Sequence, residues 1–181
     1  MFNDIAKFEK VSLEQYTKDY YSAFPDTIHR FEGDEDELRS MIKVIYDSIK
    51  LPSRATSGSA GYDFFLPFKI DIPENTNIVI PTGIRCKMDS GWVLQMYPRS
   101  SHGFKSGIHL ANTVGIIDQD YYNALNEGHI MIKLVNDSGI SKRLEIDADA
   151  GFCQGIFLPY GTAIEDEVTE ERTGGFGSTT K

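Results

Sequence analysis

The spacing of apolar positions changes once along the chain. Between residues 12 and 46 they recur at helical spacing, and from residue 62 onward they alternate or run in short blocks. Ser12 followed three residues later by Gln15 is a capping-box pattern, and Tyr16, Tyr20, Ala23 and Phe24 then fall at helical intervals. Pro25 ends that helix. Asp34-Glu35-Asp36 gives an acidic start to a second helix, whose apolar face is Leu38, Met41, Ile42 and Ile45. Two short amphipathic helices are therefore predicted, joined by a loop over residues 25–33. Their apolar faces must pack on the main domain or on a partner.

After Pro52 the period is two. Runs at 62–66, 68–72, 77–81, 83–88, 92–97, 129–135, 142–146 and 152–158 read as strands. Turn chemistry separates them, as in Pro73-Glu74-Asn75, Asp89-Ser90-Gly91 and Asn136-Asp137-Ser138-Gly139. Short, regularly spaced strands predict an all-β sandwich, barrel or jelly roll. There is no internal repeat and no low-complexity linker.

A length of 181 residues suits one domain with room for an appendage. No apolar run reaches membrane-spanning length, and Met1-Phe2-Asn3-Asp4 lacks the basic and apolar parts of a signal segment, so a cytoplasmic protein is expected. The two cysteines, Cys86 and Cys153, sit in apolar runs and are expected to be reduced and buried. The net charge of −9 argues against non-specific nucleic-acid binding and against an anionic membrane surface. A polyphosphate ligand would then need local donors and a divalent cation to overcome the global field.

Such local donors are present. Arg172-Thr173-Gly174-Gly175-Phe176-Gly177-Ser178-Thr179 combines a guanidinium, an aromatic ring and hydroxyls with glycines that free backbone amides. It reads as an arm ordered by ligand over a nucleotide, or else as a disordered Gly/Ser terminus. Pro98-Arg99-Ser100-Ser101-His102-Gly103-Phe104-Lys105-Ser106-Gly107 reads either as an anion cradle or as a polar turn, and it lacks Walker spacing. Asn112 through Tyr121 ends an apolar strand on Asp118, a rigid carboxylate suited to orienting a water, or a solvated acidic turn. His29, His102, His109 and His129 have no metal-ligand spacing. Cradle, aspartate and arm together fit nucleotide hydrolysis better than binding alone, because binding does not need the aspartate.

Over residues 50–181 the sequence resembles the trimeric dUTPase family. Ala55-Thr56-Ser57-Gly58-Ser59-Ala60-Gly61-Tyr62-Asp63-Phe64 is similar to that family's first motif and Pro98-Arg99-Ser100 to the start of the second. Asn112 to Tyr121 resembles the third, Gly151-Phe152-Cys153-Gln154-Gly155-Ile156 the fourth, and Arg172 to Thr179 the fifth, all in order. The resemblance implies a mainly β jelly-roll β-barrel over 51–165. A short α-helical N-terminal extension over 1–50 precedes it, and a flexible Gly-rich arm over 166–181 closes an active site. It also implies a homotrimer with sites shared between subunits. The implied reaction hydrolyses dUTP to dUMP and pyrophosphate, with Mg2+ held by phosphates and waters.

Carried onto this chain, the resemblance makes Asp118 the residue that activates the attacking water. Tyr121 would pack under the deoxyribose, while Asn112, with Gly115 and Ile117 on the neighbouring strand, would hold the uracil edge. Ser100, Ser101 and Gln154 are expected on the phosphates, with Arg99 and Asp63 bracing the site. In the arm, Arg172, Gly177 and Ser178 would reach the phosphates and Phe176 would stack on uracil.

Three departures stand out. Residues 122–127 are longer than the link in many relatives, the fourth motif lacks a charged pair before Gln154, and residues 1–50 lie outside the shared barrel. A protein partner of the 122–127 loop or of the N-terminal helices is therefore a further expectation. One rival is a dCTP deaminase of similar fold, which needs a glutamate where this chain has Lys133. The other is a catalytically silent dUTP-binding regulator.

Overall fold

The computed structural model describes residues 4–27, 34–170, 172 and 174. Both helix starts follow their caps. Helix α1 (Leu13–Ala23) begins where the Ser12 hydroxyl accepts the Gln15 amide at 3.1 Å, and its C-cap is Phe24, just before Pro25. Helix α2 (Glu35–Ser48) begins where Asp34 accepts the Glu37 amide at 3.0 Å, with three carboxylates in the first turn, the favoured sign at a helix N-terminus. Of the predicted linking loop, residues 28–33 lie outside the described residues.

The eight predicted runs overlap β2 (Tyr62–Phe65), β3 (Ile70–Pro73), β4 (Thr76–Pro81), β5 (Ile84–Met88), β6 (Trp92–Pro98), β9 (Met131–Asn136), β10 (Arg143–Ile146) and β11 (Gly151–Pro159). The apolar strand expected to end on Asp118 is β8 (Gly115–Ile117), and two strands were not expected: β1 (Ala6–Lys10) and β7 (His109–Leu110). β1 is a strand because it pairs antiparallel with β5, setting Phe8 opposite Cys86 and Glu9 opposite Arg85. The polar stretch after Arg99 forms a short helix, α3 (Ser100–Ser106), rather than an open turn, and Gly107 in the left-handed region closes it.

All the strand pairs are antiparallel, and they form four small sheets: β1-β5, β10-β3, β2-β11-β6-β8 and β4-β9-β7. Among the described residues hydrogen bonding does not run around a closed barrel. Short twisted strands can share a core without sharing a ladder. That core is one cluster, and it joins Val11, Tyr16, Tyr20, Leu38 and Ile42 of the N-terminal segment to Phe64, Ile80, Leu94, Met96 and Phe152 of the sheets. The helices thus dock on the β body, with α1 packed against α2 and β4. Burying each such side chain is worth roughly 1.5–3 kcal/mol. No helix among the described residues is long and apolar enough to cross a membrane.

Candidate active site

Strands β2, β6 and β11 lie side by side and bring three of the predicted side chains together. Asp63 on β2 stands opposite Gln154 on β11, and Arg99 follows directly on β6. The Arg99 Nε lies 3.2 Å from Asp63 Oδ1, and its Nη1 donates to the Gly151 carbonyl at 3.3 Å. Gln154 donates to the Pro98 carbonyl at 3.3 Å. Gly61 makes room for that amide, since a Cβ there would lie 2.5 Å from Gln154 Oε1. These residues line a cavity of about 500 Å3 with Ser100 and Ser101. Guanidinium, hydroxyl and amide donors converging on one hollow suit an anion.

A second cavity, about 300 Å3, is apolar. Asn112, Gly115 and Ile117 line it, with Met96, Leu110 and Lys133. β8 is held to β6 with Gly115 opposite Met96, and the turn before it puts Thr113 at φ 62°. An apolar slot with one amide side chain and open strand backbone can take a flat heterocycle and read its edge. The two cavities share no lining residue.

Asp118 follows β8 directly and precedes a 3-10 turn, Gln119–Asn123. Arg172 donates to Asp118 through Nη2 and to Asp120 through Nε at 3.0 Å, and its guanidinium carbon lies 5.6 Å from the Tyr121 ring centre. Tyr121 is buried; its hydroxyl donates to the His129 carbonyl at 2.8 Å and accepts from Asn126 at 2.8 Å. Burial raises its phenol above the ordinary range, and the Asn126 hydrogen bond opposes that rise.

The predicted residues therefore fall into two groups. Asp63, Arg99, Ser100, Ser101 and Gln154 share the polar cavity. Asn112, Gly115 and Ile117 line the apolar one, with Asp118, Tyr121 and Arg172 clustered beyond the end of β8. Phe176, Gly177 and Ser178 lie outside the described residues. Sequence reasoning passed over Asp120, although a carboxylate two positions after Asp118 was legible inside the third motif. It also passed over His102 as a site residue; its Nε2 lies 3.2 Å from the Gly151 carbonyl, the one that Arg99 holds. Neither thiol offers a nucleophile: burial pushes Cys86 up to about 12 and Cys153 well above its usual value.

Comparison with known proteins covers β2 to β11 and the candidate site. The dUTPase family matches residues 47–180. A deoxyuridine 5'-triphosphate nucleotidohydrolase of Lactococcus lactis is 42% identical over 134 residues, covering 72% of this chain and 88% of its own. Another, from Dictyoglomus turgidum, is 34% identical over 154 residues, covering 78% and 98%. Among solved structures, the dUTPase of Streptococcus mutans aligns with a TM-score of 0.57 at 36% identity, over 63% of this chain and 88% of its own. The dUTPase of phage phi11 of S. aureus aligns with a TM-score of 0.57 at 20% identity, over 70% and 94%, a likeness of fold alone. Both cavities and the carboxylate cluster lie within the matched span, and this chain belongs to the dUTPase family.

Proposed function

We propose that this chain is a dUTP diphosphatase, hydrolysing dUTP to dUMP and pyrophosphate by attack of water on the α-phosphorus. The observation that carries the reading is the division of the predicted site between two separate hollows, an apolar slot beside a carboxylate and a polar, arginine-bearing cavity. Neither hollow alone holds both a nucleobase and a triphosphate. A second copy that brought its polar cavity to the first copy's slot would complete the site, which supports a homotrimer of jelly-roll subunits with shared sites. The units would be 1–50, 51–165 and 166–181, with the last closing over the substrate.

In this reading Asn112 and the backbone around Gly115 and Ile117 pair with the uracil edge. Cytosine would present an amino donor there and leave buried groups unpaired. Tyr121 lies under the deoxyribose and excludes a 2′-hydroxyl. Asp118 takes a proton from the attacking water as the new P–O bond forms. The bond from the α-phosphorus to the bridging oxygen breaks, and its electron pair leaves with pyrophosphate. Ser100, Ser101 and Gln154 of the adjoining copy hold phosphate oxygens, braced by the Arg99–Asp63 pair, while Arg172 and Ser178 close from the arm. Phe176 and Gly177 complete the cover over the base.

The magnesium ion belongs with the substrate. Among the described residues no three histidine, cysteine or carboxylate side chains are grouped to hold a metal. In this reading the ion would arrive on the triphosphate, adding charge stabilisation there, and no step above is routed through it. A cytoplasmic setting belongs to the same proposal, in keeping with two free buried thiols. The deaminase alternative is not favoured: the nearby strand offers Lys133 to the slot, where that chemistry needs a carboxylate.

The test is pyrophosphate release from dUTP, dCTP, dTTP and UTP with magnesium, on protein of known oligomeric state. Release from dUTP alone is expected. Ammonia from dCTP, or a well-formed oligomer that turns over nothing, would overturn the assignment.

A further inference from the structure

Three side-chain contacts tie the N-terminal segment to the stretch that follows Tyr121. The Tyr122 hydroxyl donates to Glu9 at 2.6 Å. Glu127 accepts the Ser12 amide at 2.7 Å and the Ser12 hydroxyl at 2.6 Å. His129 Nδ1 lies 2.6 Å from Asp19 Oδ2. The partners run in the same order along both segments, 9, 12 and 19 against 122, 127 and 129. Arg85 adds support from β5, stacking 3.6 Å from the Tyr122 ring centre and donating to the Tyr122 carbonyl at 2.8 Å.

The last of these contacts reaches the site. His129 is fully buried, and its Nε2 accepts the Gly83 amide at 2.7 Å. The ring proton is therefore on Nδ1 and is donated to Asp19, which also accepts from Gln15 at 2.8 Å. The imidazole cannot turn without stranding a buried amide and a carboxylate. The carbonyl of this fixed residue accepts the Tyr121 hydroxyl. A line of contacts thus runs from Asp19 on α1 through His129 to Tyr121. Its first member lies outside the family match, which begins at residue 47.

We propose that the N-terminal segment is a positioning module for Tyr121, and that Asp19 and His129 are positioning residues that set discrimination between 2′-deoxyribose and ribose. The proposal rests on the reading of Tyr121 as the ring beneath the sugar. Exclusion by a clash fails when the excluding ring can move by a fraction of an ångström. The groups assigned to base and phosphates sit on other elements, so loosening Tyr121 admits UTP while dUTP still binds and reacts.

The experiment compares kcat/KM for dUTP and UTP in the full chain. In Asp19→Ala the dUTP/UTP ratio is expected to fall roughly tenfold, with kcat for dUTP within a few-fold of wild type. Asp19→Asn keeps an acceptor for the imidazole proton and is expected to hold the ratio near wild type. Tyr121→Phe removes the hydroxyl that bonds His129 and Asn126 and is expected to lower the dUTP/UTP ratio in the same direction; it carries the test if Asp19→Ala does not fold. Leu144→Ala, on a sheet with no residue in either cavity, supplies the control for general destabilisation and is expected to leave the ratio alone. A lower melting temperature in Asp19→Ala with an unchanged ratio would reduce Asp19 to a structural residue and overturn the proposal. An unchanged ratio in Tyr121→Ala would overturn the sugar reading itself, and the proposal with it.

Discussion

Arg172 is paired with Asp118, the carboxylate at the end of β8, and its fork also takes in Asp120. The guanidinium is largely covered, whereas the two carboxylate side chains are 46% and 52% exposed. Ion pairs this open contribute about 0–1 kcal/mol. A fork held so weakly can leave the carboxylates for phosphate oxygens, which attract it at least as well. Arg172→Ala is therefore expected to lower kcat/KM for dUTP by about tenfold to a hundredfold. Its melting temperature should stay within about 3 °C of wild type. Steady-state kinetics and a thermal melt check both halves; a large loss of stability would make the arm a structural strap.

Asp118→Asn is expected to reduce kcat by about a hundredfold or more while dUTP binding persists, read by single-turnover kinetics and calorimetry. Ser100→Ala removes a hydroxyl from the polar cavity, the one proposed to hold phosphate oxygens. If each site draws on two copies, co-assembling these two impaired variants in equal amounts restores about a quarter of wild-type activity. A mixture no better than its components would confine the site to one copy.

Gly128 sits at φ 70°, and a Cβ there would lie 2.6 Å from the Tyr121 carbonyl oxygen. The three nearest neighbours of that Cβ are backbone atoms of Tyr121 and Tyr122, which leaves no side chain to yield. Gly128→Ala is expected to cost at least about 2 kcal/mol in urea unfolding. Gly161→Ala, with open space around it, is expected to change stability by less than about 0.5 kcal/mol.

Acid should loosen the N-terminal segment. Burial raises the Glu127 carboxyl, but the Ser12 hydrogen bonds and Arg85 outweigh it and hold the group below its ordinary 4.5. At Asp19 burial also raises the carboxyl, and the hydrogen bonds from His129 and Gln15 bring it below the ordinary range. A carboxyl lowered by folding contributes stability that is present above its unfolded value and lost as pH falls through the folded one. Melting temperature is thus expected to drop below about pH 4.5, and Glu127→Gln to show a shallower decline than wild type. Equal slopes would remove Glu127 from the acid response.

Helix starts and strands were legible because their causes are local. Ser12 and Asp34 cap the helices within one turn, and a period of two marks β2 to β6 and β9 to β11. β1 was not legible, because Ala6–Lys10 carries one large apolar side chain and becomes a strand only by pairing with β5. The same holds for α3, whose serines and glycine give little helical preference of their own.

The candidate site divides along the same line. Three of its segments, 98–107, 112–121 and 172–179, were readable from their own donors, carboxylate and glycines, whereas 55–64 and 151–156 stood out only through the resemblance to the family. The structure decided which segments meet. It set Asp63, Arg99 and Gln154 in one hollow and Asn112, Gly115 and Ile117 in another. It laid Arg172 on Asp118 and turned His129, one of four histidines without a ligand pattern, into the link between Asp19 and Tyr121. Capping and alternation act over a few residues and leave a periodic trace in the sequence. A hydrogen bond between positions 110 residues apart leaves none, because only the packing of α1 on the sheets brings the two groups within reach.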